Sequence, residues 1–193
     1  MEEVYIQEKI FDRNDFTQSL LTKGEYENCT FKNCDFSNND LSHFKFTTCE
    51  FISCNLSLVK LGKVAFRDIK FKDSKMLGLR FDTCNEFGLS FSFDNCILNH
   101  SSFYKIKIKK TLFKDSQLQE TDFTECDLTN SVFDNCDLRR AIFVNAIIEK
   151  ADFRTSYNYS IDPEINRIKK AKFSLRGVSG LLDKYDIDIK SDI

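Results

Sequence analysis

Eight cysteines, two histidines and thirty acidic residues are the groups of this 193-residue chain that could do chemistry. Cys29, Cys34, Cys49 and Cys54 look superficially like two ligand pairs for a soft metal, or like partners in disulfides. Zinc ligands, however, usually come in pairs two to four residues apart on a flexible knuckle, and these are spaced by five. His43 and His100 have no nucleophile and acid patterned around them. The six glycines are scattered and make no phosphate loop. The residues therefore predict neither an enzyme nor a metal or other cofactor.

The spacing of five recurs far beyond the cysteines. From Leu21 to Phe81, and again from Phe93 to Phe153, almost every fifth residue is Phe, Leu, Tyr, Ile or Met. That period fits no helix and no ordinary strand. Two residues before most of these centres stands a small residue, as in Cys29, Cys34, Ser74, Cys96, Ser101, Thr111, Cys126, Cys136, Ala146 and Ala151. Large and small residues thus alternate into one interior, and seven of the cysteines read as packing residues kept reduced.

A square solenoid satisfies this pattern. Each five-residue unit forms one side, and four units return the chain to its starting azimuth one strand spacing higher, about 4.8 Å. Residues twenty apart should then stack, and opposite charges do recur at that offset: Glu25 and Lys45, Asp40 and Lys60, Glu50 and Lys70, Lys105 and Glu125, Lys107 and Asp127, Glu120 and Arg140. One column alternates throughout, Asp94, Lys114, Asp134, Arg154. Cross-strand pairs of this kind contribute roughly 0.2 to 1 kcal/mol each. The predicted fold is all-β, a parallel β-helix over 1–173 in two stacks divided near 84–93, followed by 174–193 as a short C-terminal α-helix and tail.

Three departures break the count. The phase slips by two residues between Cys84 and Phe93, where Gly88 can adopt a conformation closed to other residues. Ser156 to Ile165 interrupts the motif around Asp162-Pro163, and Ile168 and Phe173 resume it, which predicts a last coil with one bulged side. From Ser174, a good N-cap, Leu175, Val178, Leu181, Leu182 and Tyr185 mark one face of a helix, with a short strand at Ile187 and Ile189 after it. A solenoid end exposes its apolar column, so this element either caps the rod, joins it to a second copy as a homodimer, or does both.

The acidic start, Glu2, Glu3, Glu8 and Asp12, does not resemble a signal peptide, and no stretch approaches the roughly 18 apolar residues of a membrane span. A soluble cytoplasmic protein with no membrane contact is expected. Charge is uneven along it. Lys60, Lys63, Arg67, Lys70, Lys72, Lys75 and Arg80, then Lys105 to Lys114, form a basic middle, whereas Asp115, Glu120, Asp122, Glu125, Asp127, Asp134 and Asp137 follow with no Lys or Arg among them. These acids are the candidate partner-binding surface. Direct nucleic-acid binding by the basic middle is not favoured, because outward aromatics to stack bases are missing, Tyr104 being a lone candidate.

Repeats such as Cys34-Asp35-Phe36-Ser37-Asn38 and Cys126-Asp127-Leu128-Thr129-Asn130 resemble the pentapeptide repeat family, whose members form right-handed quadrilateral β-helices. Within it, the start Glu8 to Phe16, the late coil Thr124 to Ser131, the mid-chain slip and the C-terminal helix are similar to the Qnr quinolone-resistance proteins. That resemblance implies a dimer joined through its C-terminal ends, acting as a DNA mimic on DNA gyrase and topoisomerase IV. The Qnr proteins also carry projecting loops; here the count runs unbroken through Cys49 to Leu56 and Phe103 to Leu118, so neither loop is expected. The alternative is a structural or interaction scaffold unrelated to topoisomerases.

Overall fold

The computed structural model describes residues 4–190. It is a parallel β-solenoid with four walls. Four strands make most of the first wall, Val4–Gln7, Gly24–Glu27, Lys45–Thr47 and Ala65–Arg67. Seven make the second: Ile10–Asp12, Thr30–Lys32, Glu50–Ile52, Ile69–Lys72, Phe91–Asp94, Leu112–Lys114 and Val132–Asp134. The third and fourth walls are ladders of single bridges, one through Asp35, Asn55, Lys75, Ile97, Gln117 and Asp137, the other through Arg80, Ser102, Asp122 and Ile142. The first wall resumes higher up through Lys107, Asp127, Ile147 and Arg167.

Every inward centre of the second wall is phenylalanine. Phe11, Phe31, Phe51, Phe71, Phe93, Phe113, Phe133, Phe153 and Phe173 stack one on the next with ring centroids 4.6 to 5.4 Å apart. These distances are the rise of the coil itself, so the repeat that sets strand spacing also sets a favourable offset stack.

The small inward residues do more than fill space. Cys34, Cys54, Ser74, Thr121, Ser131, Cys136 and Ser156 each donate to the carbonyl 23 residues earlier, at 2.7 to 3.4 Å. The interior therefore selects thiols and hydroxyls, which satisfy a backbone acceptor that alanine would leave with one partner fewer. Burial pushes Cys49, Cys96 and Cys136 up to about 12, and Cys84 and Cys126 higher still. All eight thiols are unpaired and buried.

At most corners the second residue after a centre takes a left-handed backbone, among them Asn33, Asn38, His100, Lys110 and Asn130. The residue before the centre often steadies that turn. Asp35, Asp40, Asp122, Asp127, Asp137 and Asp152 each accept the backbone N–H two residues on, at 2.8 to 3.2 Å.

The slip adds two residues to one coil without opening the stack. Phe71 pairs with Phe93 and Ile69 with Phe91, an offset of 22 in place of 20, so the second wall is continuous across it. On the first wall, Asn85 donates to the Val64 carbonyl and Ser90 to that of Phe66, and the residues between them leave the wall. Gly88, at φ +71°, turns this excursion back, Leu89 anchors it on the core, and Phe87 stands 78% exposed at its tip.

The C-terminal segment departs from expectation in type. Leu175–Leu181 and Asp183–Tyr185 are 3₁₀ helices, not one α-helix. At three residues per turn, Ser174, Gly177 and Gly180 share one face, and that face meets Tyr159: a side chain at Gly180 would lie 2.1 Å from the Tyr159 carbonyl oxygen. Nor is there a strand at Ile187 or Ile189, which are exposed. The bulged last coil is present. Asn166 closes it by donating to the carbonyls of Phe143 and Asp162, both at 2.9 Å, while Tyr159 and Ile161 fill the interior.

Candidate functional site

The seven acids of the late coils do not converge. Asp115 and Asp134 lie on the second wall and its corner, Glu120 and Asp137 on the third, Asp122 and Glu125 on the fourth, and Asp127 on the first. Asp122, Asp127 and Asp137 are turn acceptors, and the last two are buried. Against a burial penalty, hydrogen bonds from Thr129 and Lys109 hold Asp127 below the usual carboxylate range. Glu120 sits between His100 at 3.3 Å and Arg140 at 3.4 Å, and Glu125 is 3.5 Å from Lys105. Asp115 accepts from Asn135 at 2.7 Å and faces Lys114 at 3.7 Å; Asp134 accepts from Thr155 at 2.9 Å. Five of the seven stand in ion pairs, while Asp122 and Asp134 accept only from uncharged groups. The repeat itself asks for an acid before a centre, a signal readable in Cys-Asp-Leu-Thr-Asn as turn chemistry.

Stacked pairs of opposite sign form as spacing predicts at Glu25–Lys45, Glu50–Lys70, Lys105–Glu125, Glu120–Arg140 and Asp94–Lys114, 3.0 to 3.6 Å apart. Others choose nearer partners. Asp127 takes Lys109 at 3.0 Å instead of Lys107, and Arg154 forms a two-pronged pair with Asp152, at 2.9 and 2.7 Å, instead of reaching Asp134.

The cysteines that suggested a metal stand on two walls, Cys29 and Cys49 beside the second-wall centres, Cys34 and Cys54 beside the third. Each donates its thiol to a carbonyl. Among the described residues, no three His, Cys, Asp or Glu side chains are grouped to hold a metal ion.

At the C-terminal end the predicted interface residues divide by role. Leu181 packs on the core and Leu182 is half-buried. Leu175 is 91% exposed, with Val178 and Tyr185 also open to solvent. The segment is strapped down. Ile161 donates to the Gly180 carbonyl at 2.8 Å, Lys184 reaches Asp162 at 2.8 Å and Glu164 at 2.5 Å, and the Tyr185 hydroxyl donates to Glu164 at 2.8 Å. Between this cap and the last coil lies a cleft of about 550 Å³, lined by Arg154, Tyr157, Tyr159, Arg176 and Asp183.

Hydrogen bonds from Lys184 hold the Asp162 and Glu164 carboxyls below their ordinary values. A lowered folded pKa means stabilisation that is complete above the unfolded carboxylate range, near 4, and is lost as pH falls through the folded values. The cap should therefore loosen in acid before the coils do. Amide exchange is expected to show the Ile161 protection factor falling between about pH 5 and pH 3 while Phe113 stays protected, and Lys184→Met should show the weak cap already at neutral pH. Equal loss at Ile161 and Phe113 would refute a separate strap.

A family profile described as a pentapeptide repeat region matches residues 89–158. The fold is a pentapeptide-repeat β-solenoid. Two solved structures of trypsin-treated variants of QnrB1, a plasmid-mediated fluoroquinolone resistance protein, superpose on this pentapeptide-repeat rod with a TM-score of 0.63 each. Identity is 18% and 19%, over 97% and 98% of this chain and 100% of theirs. The fold is thus shared from end to end. No curated protein matches the sequence. Among the described residues, no helix is long and apolar enough to cross a membrane.

Proposed function

We propose that this pentapeptide-repeat rod is a non-catalytic binding module whose rigid outer walls engage another macromolecule, with DNA gyrase or topoisomerase IV the partner to test first. The superposition along the whole rod with QnrB1 carries this reading. The scattered, largely paired acids favour a contact that does not work by imitating DNA, because a mimic needs an unneutralised negative surface to compete for a basic groove. Two rods joined through the outer face of the C-terminal cap complete the proposed assembly, in a reducing compartment that keeps eight thiols unpaired.

The test is a gyrase supercoiling assay titrated with the purified rod, with and without a fluoroquinolone. Supercoiling restored in the presence of drug is the expected result. Inhibition without drug would point instead to competition with DNA. No effect up to a large molar excess would end the topoisomerase reading and leave a scaffold for another partner.

A further inference from the structure

We infer that the middle of the rod binds single-stranded nucleic acid, with the Phe87 ring as its stacking platform. Between Lys60 and Lys114 there are twelve lysines and arginines against five aspartates and glutamates, leaving sixteen against twenty-five in the rest of the chain. This stretch is a little under three coils, about 14 Å tall; Lys70, Arg80, Lys105, Lys109 and Lys114 are in ion pairs, and the other seven cations form none among the described residues. At its centre the two-residue insertion lifts Phe87 out of the wall. The backbone that carries it is held there, since the Phe87 N–H donates to Asn85 at 3.0 Å and Gly88 and Leu89 return the chain to the core.

Beneath it the Arg67 guanidinium lies 5.6 Å from the ring centre, and its buried Nε has no hydrogen-bond partner. Arg67 forms no ion pair among the described residues, and the ring beside it is largely open to solvent. On the neighbouring wall of the next coil, Lys105 lies 4.9 Å over the half-exposed Tyr104 ring. Lys63 below the loop and Lys107 and Lys110 above it are exposed and form no ion pair among the described residues. Two aromatic rings, each beside a cation, with open lysines between the coils, combine base stacking with phosphate neutralisation.

An acidic protein is the weaker fit. The residues flanking Phe87 in the excursion, Asn85, Glu86 and Gly88, are exposed and none is apolar and large, so no apolar rim excludes water as at a protein hot spot. Stacking needs no such rim. Duplex DNA keeps its bases inside and cannot use the ring.

The experiment is fluorescence anisotropy of a labelled 20-residue oligothymidine at low salt. It contains no topoisomerase, so its failure and that of the topoisomerase reading are separate. Saturable binding is expected, weakened about tenfold in Phe87→Ala, and by at least as much in Lys107→Glu/Lys110→Glu, with a shallower salt dependence. Lys150→Glu/Lys170→Glu, outside this stretch, should bind as the parent does. Phe87 is exposed, so its variant keeps the fold, which a melting curve verifies. Absence of binding, or binding that Phe87→Ala leaves unchanged, overturns the inference. So does a glutamate-rich peptide bound as tightly with the same dependence on Phe87.

Discussion

Replacing Phe113 by alanine should remove about 3 to 5 kcal/mol of stability, a large part of the roughly 5 to 15 kcal/mol expected of a domain this size. Phe113 is fully buried and stacks at 5.2 Å on Phe93 and 4.8 Å on Phe133, with edge contacts to Phe103 and Phe123 at 5.9 and 6.0 Å. Its loss leaves a cavity that strand spacing cannot close, because the neighbouring coils are held by their own ladders. In a solenoid, stability is close to a sum of coil and nearest-neighbour terms, so a hole in the middle also uncouples the two ends. Denaturant unfolding followed by circular dichroism should show an earlier and broader transition, resolving into two. Phe11→Ala is the comparison: Phe11 stacks on one side only, on Phe31 at 4.7 Å, and sits at the first coil. It should cost less than half as much and leave one transition. Equal costs would mean that the column does not act through its neighbours.

The coil was legible because a fivefold period with a small residue two places before each centre has one packing solution, and charges twenty apart gave an independent reading of its rise. The slip was legible in Gly88, and its offset followed from the two extra residues. What the slip does was not. The count alone suggested two stacks, whereas Phe71 on Phe93 at 5.4 Å carries the column straight through, and the surplus is expelled at Phe87. The C-terminal segment misled because Leu175, Val178, Leu181, Leu182 and Tyr185 read at α-helical period. The better signal was Ser174, Gly177 and Gly180, three apart, which suits a 3₁₀ turn needing one flat face. The acids misled for a related reason. Composition along the chain says nothing of azimuth, and a run of seven acids in 23 residues necessarily winds around all four walls.

That flat face gives the second large effect. Gly180→Val should undock the C-terminal cap. The added Cβ would meet the Tyr159 carbonyl oxygen at 2.1 Å and its Cδ2 at 3.0 Å, and backbone cannot yield there, because the Gly180 carbonyl is held by the Ile161 N–H. Overpacking of this kind costs about 1 to 3 kcal/mol, more than a short strap of one lysine and one tyrosine can resist. Trypsin should then cut rapidly after Arg176 and Lys184, and the bared end of the phenylalanine column at Phe173 should promote association. Leu175→Glu separates capping from dimerisation. Leu175 is 91% exposed, so this change leaves the cap docked and trypsin resistance intact. If the outer face of the cap joins two rods, light scattering will show Leu175→Glu as a protected monomer and the parent as a dimer. A parent already monomeric, or a Leu175→Glu dimer, would restrict the segment to capping. Trypsin resistance in Gly180→Val would show that the 3₁₀ face does not dock through its glycines.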